Sequence, residues 1–510
     1  MNRIVVFFAV LALLCPNILA QRQMERLDRG LVAAKAGTTA NAFVSWRLFA
    51  TDPTDVKFSV YRATSATGAF SLVSSCSGLD AAHTNCTVTG GAGTGDRYQV
   101  AVLVNGAEAE RSKAVAVWQN SAGGSNGGSG AYLEIPVQKP MAKGPNGGNY
   151  TIYDGVVADL DGDGEYEIVF FWAPDNMQDN ANSGVTDDVY IDAYKLDGTK
   201  LWGAGKYINL GPNIRAGAHY QTFQVYDFDG CGKAEIIVKT ADGTKDTQGT
   251  RIGNTTVYKN SGGYILTGSE YITLFDGATG KILDTQNYDP PRGTVSDWGD
   301  NYGNRVDRFL SATAYLDGIK PSAIFVRGYY TRTTAAAWDV VNKKLVKRWL
   351  FDSRNTSVVP SNQRSQYEDQ GNHSLAVTEV NGKDIIVMGA MAIGSDGKPF
   401  YSNNTKHGDA HHLTKHIPSR AGVQMYKCLE ESPYGVVMYD ATDGQIIWKV
   451  SDSGDTGRCL CADIDPNYPG SECWASGGVQ IHSSTGEKLG NKPSNLSVNS
   501  VIWFDGSTAR

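Results

Sequence analysis

Clusters of basic residues are absent from this 510-residue chain, whose 46 Lys and Arg face 53 Asp and Glu for a net charge of −7. Counterion release from a nucleic acid requires a dense basic surface, so a nucleic-acid partner is excluded. Long apolar runs are missing as well, apart from residues 4–14. Those eleven residues fall short of the about 20 needed to cross a bilayer, which excludes a membrane-spanning protein. Cysteine is scarce, at eight residues, and no Cys-x-x-Cys pair occurs, which removes the common zinc motifs. Intrinsic disorder is excluded by the 10% aromatic content and the modest net charge.

What is present begins with a targeting segment. Arg3 precedes the apolar run, and Asn17-Ile18-Leu19-Ala20 ends in a small residue before Gln21. This pattern predicts a signal peptide over 1–20 and a secreted, extracellular product. Cys15 leaves with it, and the seven remaining cysteines leave at least one thiol unpaired within the chain. Cys76 and Cys86, ten apart around a turn-rich segment, are expected to bridge, and Cys473 to reach Cys459 or Cys461. Asn85, Asn149, Asn254, Asn355, Asn372, Asn403 and Asn495 open glycosylation sequons.

Two all-β domains follow. Residues 21–118 carry alternating strands at 42–47, 57–62 and 98–102, the pattern of a fibronectin type III-like sandwich, with Trp46 and Tyr61 as inter-sheet core. This domain reads as a packing or spacing module. The run Ser121-Ala122-Gly123-Gly124-Ser125-Asn126-Gly127-Gly128-Ser129-Gly130 cannot pack, and it predicts a flexible linker over 119–131. From 132 to 510 a strand–turn–strand pattern recurs at 189–202, 271–283, 436–448 and 479–489, with Asp and Gly supplying the turns. Repeated hairpins without helical periodicity predict a β-propeller; a β-helix or second sandwich fits the variable spacing less well.

A second repeat is interleaved with these hairpins. Asp159-Leu160-Asp161-Gly162-Asp163-Gly164-Glu165-Tyr166-Glu167 runs straight into an apolar strand. Alternating carboxylates separated by glycines can wrap a hard cation, and calcium takes six to eight such oxygens. A strand rather than a helix follows, so the loop is not an EF-hand. In Asp227-Phe228-Asp229-Gly230-Cys231-Gly232-Lys233-Ala234-Glu235 a cysteine replaces the third aspartate, which weakens the site or shifts its ligation to backbone, with Lys233 among the expected ligands. A third copy, Glu379-Val380-Asn381-Gly382-Lys383-Asp384, has lost most of its oxygens.

These loops, with Ile191-Asp192-Ala193-Tyr194-Lys195-Leu196-Asp197-Gly198, Asn213-Ile214-Arg215-Ala216-Gly217-Ala218-His219-Tyr220, Arg292-Gly293-Thr294-Val295-Ser296-Asp297-Trp298-Gly299-Asp300, Arg327-Gly328-Tyr329-Tyr330, Gln370-Gly371-Asn372-His373, His407-Gly408-Asp409-Ala410 and Asp455-Thr456-Gly457-Arg458, resemble the rhamnogalacturonan lyases of polysaccharide lyase family 11. The resemblance runs in order from about 132 to the C-terminus. It implies an eight-bladed propeller, here incomplete, that binds several calcium ions and cleaves the rhamnose–galacturonate bond of pectic rhamnogalacturonan by β-elimination. Carried over residue by residue, it makes Asp154 a calcium ligand and places His373 and His407 on a central calcium. Arg458 becomes the clamp on the uronate carboxylate, and His219 lines the substrate cleft.

Three departures qualify the resemblance. Tyr153 stands where bacterial members have Asn, and Ala173 where they have Asp; both positions resemble substrate-contacting ones. The segment 414–427 reads as replaced, and His411, His412 and His416 read as incidental rather than as a metal set. Family members continue beyond Trp503-Phe504-Asp505-Gly506, and the lysine and tyrosine expected to transfer protons lie in that continuation, so no catalytic residue is named here. The competing readings are a non-catalytic carbohydrate-binding propeller and an integrin-like adhesion propeller with calcium loops of similar form.

Overall fold

The computed structural model describes residues 22–119 and 135–500; the signal peptide, most of the linker and the 503–506 motif lie outside the described residues. Residues 25–309 with 340–346 form one compact unit, and the remaining described residues form another.

The first unit opens with the predicted sandwich. Strands Val32–Lys35, Ala42–Ser45 and Asn85–Val88 make one sheet, and Lys57–Ala63 pairs with Arg97–Val104 in the other. Val115–Trp118 joins both, pairing Ala33↔Val117 in parallel and Arg97↔Ala116 antiparallel. Between them lie Val44, Trp46, Phe58, Val60, Tyr98 and Val100. Tyr61 is not part of this core. Phe58 and Val60 point inward, so the two-residue period of a strand sends Tyr61 outward, where it lies under the Arg111 guanidinium at 3.7 Å. Cys76 bonds to Cys86 as expected.

Among the described residues six four-stranded sheets follow, each a meander in chain order, as in a propeller blade; the resemblance implied eight. The first comprises Tyr150–Ala158, Glu167–Pro174, Tyr190–Lys195 and Ile208–Asn209, and the second Phe223–Tyr226, Glu235–Ala241, Glu270–Asp276 and Ile282–Asn287. The third runs through Phe309–Ala314, Ser322–Arg327, Thr334–Val341 and Lys344–Asp352, the fourth through Gly371–Val380, Lys383–Gly389, Met391–Ile393 and Pro399–Ser402. His411–Thr414, Gln424–Leu429, Gly435–Asp440 and Ile446–Val450 form the fifth; Cys459–Ala462, Glu472–Ala475, Ile481–His482 and Lys488–Gly490 form the sixth. In the first sheet the predicted hairpin partner at 200–202 is only a bridge, Tyr194↔Lys200, and the outer strand is Ile208–Asn209. Cys473 chooses Cys461, its direct cross-strand neighbour, over Cys459.

The second strand of the fourth sheet, Lys383–Gly389, is apolar on both faces because it is covered on both. In the fourth sheet Ile386 and Met388 pack with Ile324, Val326 and Ala337 of the third, whereas Ile385 and Val387 pack with Met425 and Val437 of the fifth. Phe171 meets Phe223 edge-on at 4.4 Å between the first and second sheets. Burying such a side chain contributes about 1.5–3 kcal/mol.

A further contact repeats at the seams. Trp202 donates to Gly277 O, Trp349 to Ser395 O and Trp448 to Ser484 O, and Tyr401 donates to Ala441 O. In each case an aromatic near the outer edge of one sheet reaches the last turn of the next. Glycine in that turn makes room: a Cβ on Gly397, which has φ +76°, would lie 2.6 Å from the Trp349 ring. We expect Gly397→Ala to cost about 2–4 kcal/mol, from left-handed strain plus overpacking, measured as a fall in urea midpoint. In a Trp349→Ala background the overpacking part should vanish and leave only the strain.

Candidate functional site

The candidate residues fall into two groups, one in each unit. In the first, the Asp159 loop joins the first two strands of the first sheet. Asp159 accepts hydrogen bonds from the amides of Gly162 and Gly164 at 2.7 and 2.9 Å, while Glu167, at the head of the second strand, accepts the Leu160 amide at 2.7 Å. These bonds aim the remaining oxygens inward, and donor atoms of Asp159, Asp161 and Glu167 lie within 4.8 Å of one another. Asp163 and Glu165 are not part of that group. Asp163 accepts the Glu165 amide at 2.9 Å, and the Glu165 carboxylate faces Lys113 at 3.8 Å.

The Asp227 loop repeats the geometry. Asp227 accepts from the Gly230 and Gly232 amides, each at 2.8 Å, and Glu235 accepts from Phe228 at 3.0 Å. Donor atoms of Asp227, Asp229, Cys231 and Glu235 converge, and the Lys233 carbonyl faces the Cys231 thiol at 3.7 Å. The two loops differ in what stands opposite the glutamate. Register places Lys195 opposite Glu167, and its ammonium contacts Asp161 and lies 3.0 Å from Asp163 and 3.9 Å from Glu167. Asp276 stands opposite Glu235. The first loop therefore carries an internal cation.

The sandwich braces the first loop. Asp28 donates its amide to Gly164 O at 2.8 Å, Lys113 Nζ donates to Asp163 O at 3.0 Å, and Arg47 covers the Tyr166 ring at 4.3 Å. Glu25 accepts the Asp159 amide at 3.2 Å. Burial pushes the carboxyl of Glu25 up to about 7, and Asp159 and Asp227 add to the rise. Burial likewise raises Glu167 to about 7 and Glu235 to about 8. Crowded, dehydrated carboxylates of this kind are what a hard divalent cation relieves.

The remaining candidates of this unit are dispersed. Tyr153 and Asp154 are exposed on the first strand at a kink in its register, and Asp154 accepts the Gly155 amide at 2.9 Å. Ala173, on the second strand of the first sheet, is 1% exposed. His219 is half-buried, 4.0 Å from Asp179, with its carbonyl accepting the Phe309 amide at 3.1 Å.

In the second unit His373 and His407 come together, ring centroids 5.1 Å apart. Tyr329 and Tyr330 hydroxyls lie 3.1 and 2.7 Å from the two nitrogens of His373, and Asp409 is 3.3 Å away. Donor atoms of His373, His407 and Asp409 all lie within 4.8 Å. His407 Nε2 and Glu430 Oε2 are 3.0 Å apart, yet both are buried and lack hydrogen-bond geometry. Such a buried nitrogen–oxygen pair fits a cation. Arg458, half-exposed, contacts Asp409 rather than Asp455. Burial raises the Asp409 carboxyl, but His373 and Arg458 outweigh it and hold it below the usual range.

Asp409 and Lys195 stood in motifs quoted above without a role, whereas Glu430 carries no local signal of its own. The third copy, 379–384, is no loop at all. Asn381-Gly382 is a tight turn between strands, and the guanidinium of Arg22 bridges Glu379 and Asp384 at 2.8 and 2.9 Å. His412 and His416 are engaged in hydrogen bonds, to Cys459 O and to Ser471 and His412 O, while Nδ1 of His411 is buried without a hydrogen-bond partner.

Raised carboxyls carry a pH dependence. Glu167 and Glu235 hold protons more tightly in the folded chain than in the unfolded one, so their contribution to stability is full below about pH 4.5 and lost as pH rises through about 7 to 8. In chelator the thermal midpoint should therefore fall over this range. Glu167→Gln with Glu235→Gln should flatten the slope, and an unchanged slope would refute the assignment.

Comparison with known proteins places this geometry. Residues 132–510 match the family described as rhamnogalacturonan lyase family 11, C-terminal domain, and residues 22–118 match the rhamnogalacturonan I lyase beta-sheet domain. The rhamnogalacturonan endolyase YesW of Bacillus subtilis is 45% identical over 502 residues, covering 96% of this chain and 75% of the relative. The exolyase YesX of the same organism is 45% identical over 505 residues, with 96% and 77% covered. The structure of a Bacillus licheniformis rhamnogalacturonan lyase superposes with a TM-score of 0.85 at 48% identity, over 96% of this chain and 79% of that one. Sandwich and sheets alike are covered by these matches, and the chain belongs to rhamnogalacturonan lyase family 11.

Proposed function

We propose that the protein is a secreted, calcium-dependent rhamnogalacturonan lyase that cleaves the rhamnose-(1,4)-galacturonate bond of pectic rhamnogalacturonan by β-elimination. The observation that carries this reading is the likeness over 96% of the chain to the endolyase and exolyase relatives. The signal-like N-terminus supports secretion, and the oxygen-lined loops support calcium. We read the six meanders as blades of a propeller.

In the elimination a base takes the C5 proton of galacturonate while the C4 oxygen leaves with the rhamnose-bearing fragment and is protonated, leaving a double bond between C4 and C5. Negative charge builds beside a carboxylate that is already charged, so the barrier is electrostatic. Calcium, when bound, supplies positive charge that neutralises the uronate. Asp159, Asp161 and Glu167 would hold one ion, Asp227, Asp229 and Glu235 another, and His373, His407, Asp409 and Glu430 a third. Arg458 exchanges Asp409 for the uronate carboxylate, which its planar fork can engage at two points. Tyr329 and Tyr330 fix the ring of His373 by hydrogen bonds to both nitrogens.

Ultraviolet absorbance of the unsaturated uronate tests the reaction. Adding rhamnogalacturonan should raise it, and chelator should abolish the rise. Arg458→Ala should lower kcat/KM by about 10²–10³, the scale of losing one preorganised charge contact, while Arg458→Lys recovers part. Binding of the polysaccharide with no unsaturated product would instead select a non-catalytic carbohydrate-binding protein.

A further inference from the structure

With Cys473 bonded to Cys461, Cys459 is left to another neighbour. Cys459 opens the first strand of the sixth sheet, and Cys428 lies on the second strand of the fifth. Both are buried, in one cluster with Tyr426, Val436, Met438 and Ala475. Their sulfurs converge on a single atom: Cys428 Sγ lies 3.5 Å and Cys459 Sγ 3.6 Å from Ala410 O.

That carbonyl needs neither thiol. It already accepts the Cys428 amide at 3.2 Å and the Asn372 side-chain amide at 3.1 Å, which fill its two lone pairs. The thiol hydrogens are therefore surplus, and losing them leaves no polar group unpaired. The Ala410 amide, 3.3 Å from Cys428 Sγ, uses that sulfur only as an acceptor. A hydrogen bond from Cys459 holds the Cys428 thiol below its usual range, whereas burial pushes the Cys459 thiol up. Among the described residues no third His, Cys, Asp or Glu donor converges with the two sulfurs, which sets the pair apart from a metal site.

The other cysteines point the same way. Cys76–Cys86 and Cys461–Cys473 are already bonded, the mark of maturation in an oxidising compartment. The third free thiol, Cys231, is exposed on the second acidic loop. Pairing Cys428 with Cys459 leaves Cys231 as the odd one among the seven cysteines beyond residue 20.

We propose that Cys428 and Cys459 form a third disulfide, which joins the fifth sheet to the sixth and is made by exchange with a small disulfide such as oxidised glutathione. Cys428 loses its proton and attacks one sulfur of the reagent, whose other sulfur leaves and takes up a proton. Cys459 then loses its proton and attacks the mixed disulfide, releasing the second reagent thiol. Two protein S–H bonds and one reagent S–S bond become one protein S–S bond and two reagent S–H bonds. Both sulfurs are buried, so exchange takes place as the seam opens or before it closes in folding. Arg458 precedes Cys459 and Asp409 precedes Ala410, so the bond ties down the two backbone segments that carry this ion pair.

Peptide mapping by mass spectrometry tests the pairing without reference to lyase activity. Full-length protein is refolded with reduced and oxidised glutathione, then denatured, alkylated without reductant and digested. Cys231 should be alkylated, and a peptide pair joining Cys428 to Cys459 should appear and separate on reduction. Cys428→Ala and Cys459→Ala should each leave the partner alkylated, with the Cys461–Cys473 bond intact. Alkylation of both Cys428 and Cys459 in the parent, with the other two bonds formed, would overturn the proposal. A bond from either residue to Cys231, Cys461 or Cys473 would overturn it equally.

Discussion

A buried glutamate at the head of a second strand is the contact on which the loops depend. Glu167, Glu235 and Glu472 each use one oxygen to bind an amide near the start of the preceding loop. That bond satisfies a backbone donor at the strand entry and fixes the direction of the other oxygen. A carboxylate placed this way stabilises the loop and faces the neighbouring aspartates, so the same group serves the fold and the site. In the fifth sheet Gln424 accepts the Ile417 amide at 2.9 Å and takes the structural half of the role without the charge.

Around these loops the sheets stack by burying strands on both faces. The energy is hydrophobic, while the specificity lies at the seams, where an indole or phenol donates to the turn of the next sheet. This arrangement tolerates irregular loop lengths, because each seam is made between neighbours only. It also accounts for the sandwich: its Asp28, Arg47 and Lys113 hold the first acidic loop, so the first domain braces a candidate site in the first sheet.

Much of this was legible in the residues. Alternating apolar positions marked Ala42–Ser45, Lys57–Ala63 and Arg97–Val104, and Asp-Gly turns marked the outer hairpins of the second and fifth sheets, as Ser-Thr-Gly did that of the sixth. Dense Asp-x-Asp-Gly spacing marked two acidic loops whose carboxylates converge, because a local sequence can itself curl its oxygens around one point. Spacing failed where the partners were distant. The 379–384 segment kept acids that a distant Arg22 neutralises.

Strand identity, turn chemistry and the presence of oxygen-rich loops were determined by the sequence alone, since each rests on contacts within about ten residues. Which glutamate faces Lys195 and which faces Asp276 was decided only by strand register. Tertiary packing also decided that Ala173 is buried, that Arg458 meets Asp409, and that Glu430 faces His407. Those outcomes depend on how sheets align and stack, and alignment is set by the summed packing of many side chains rather than by any local motif.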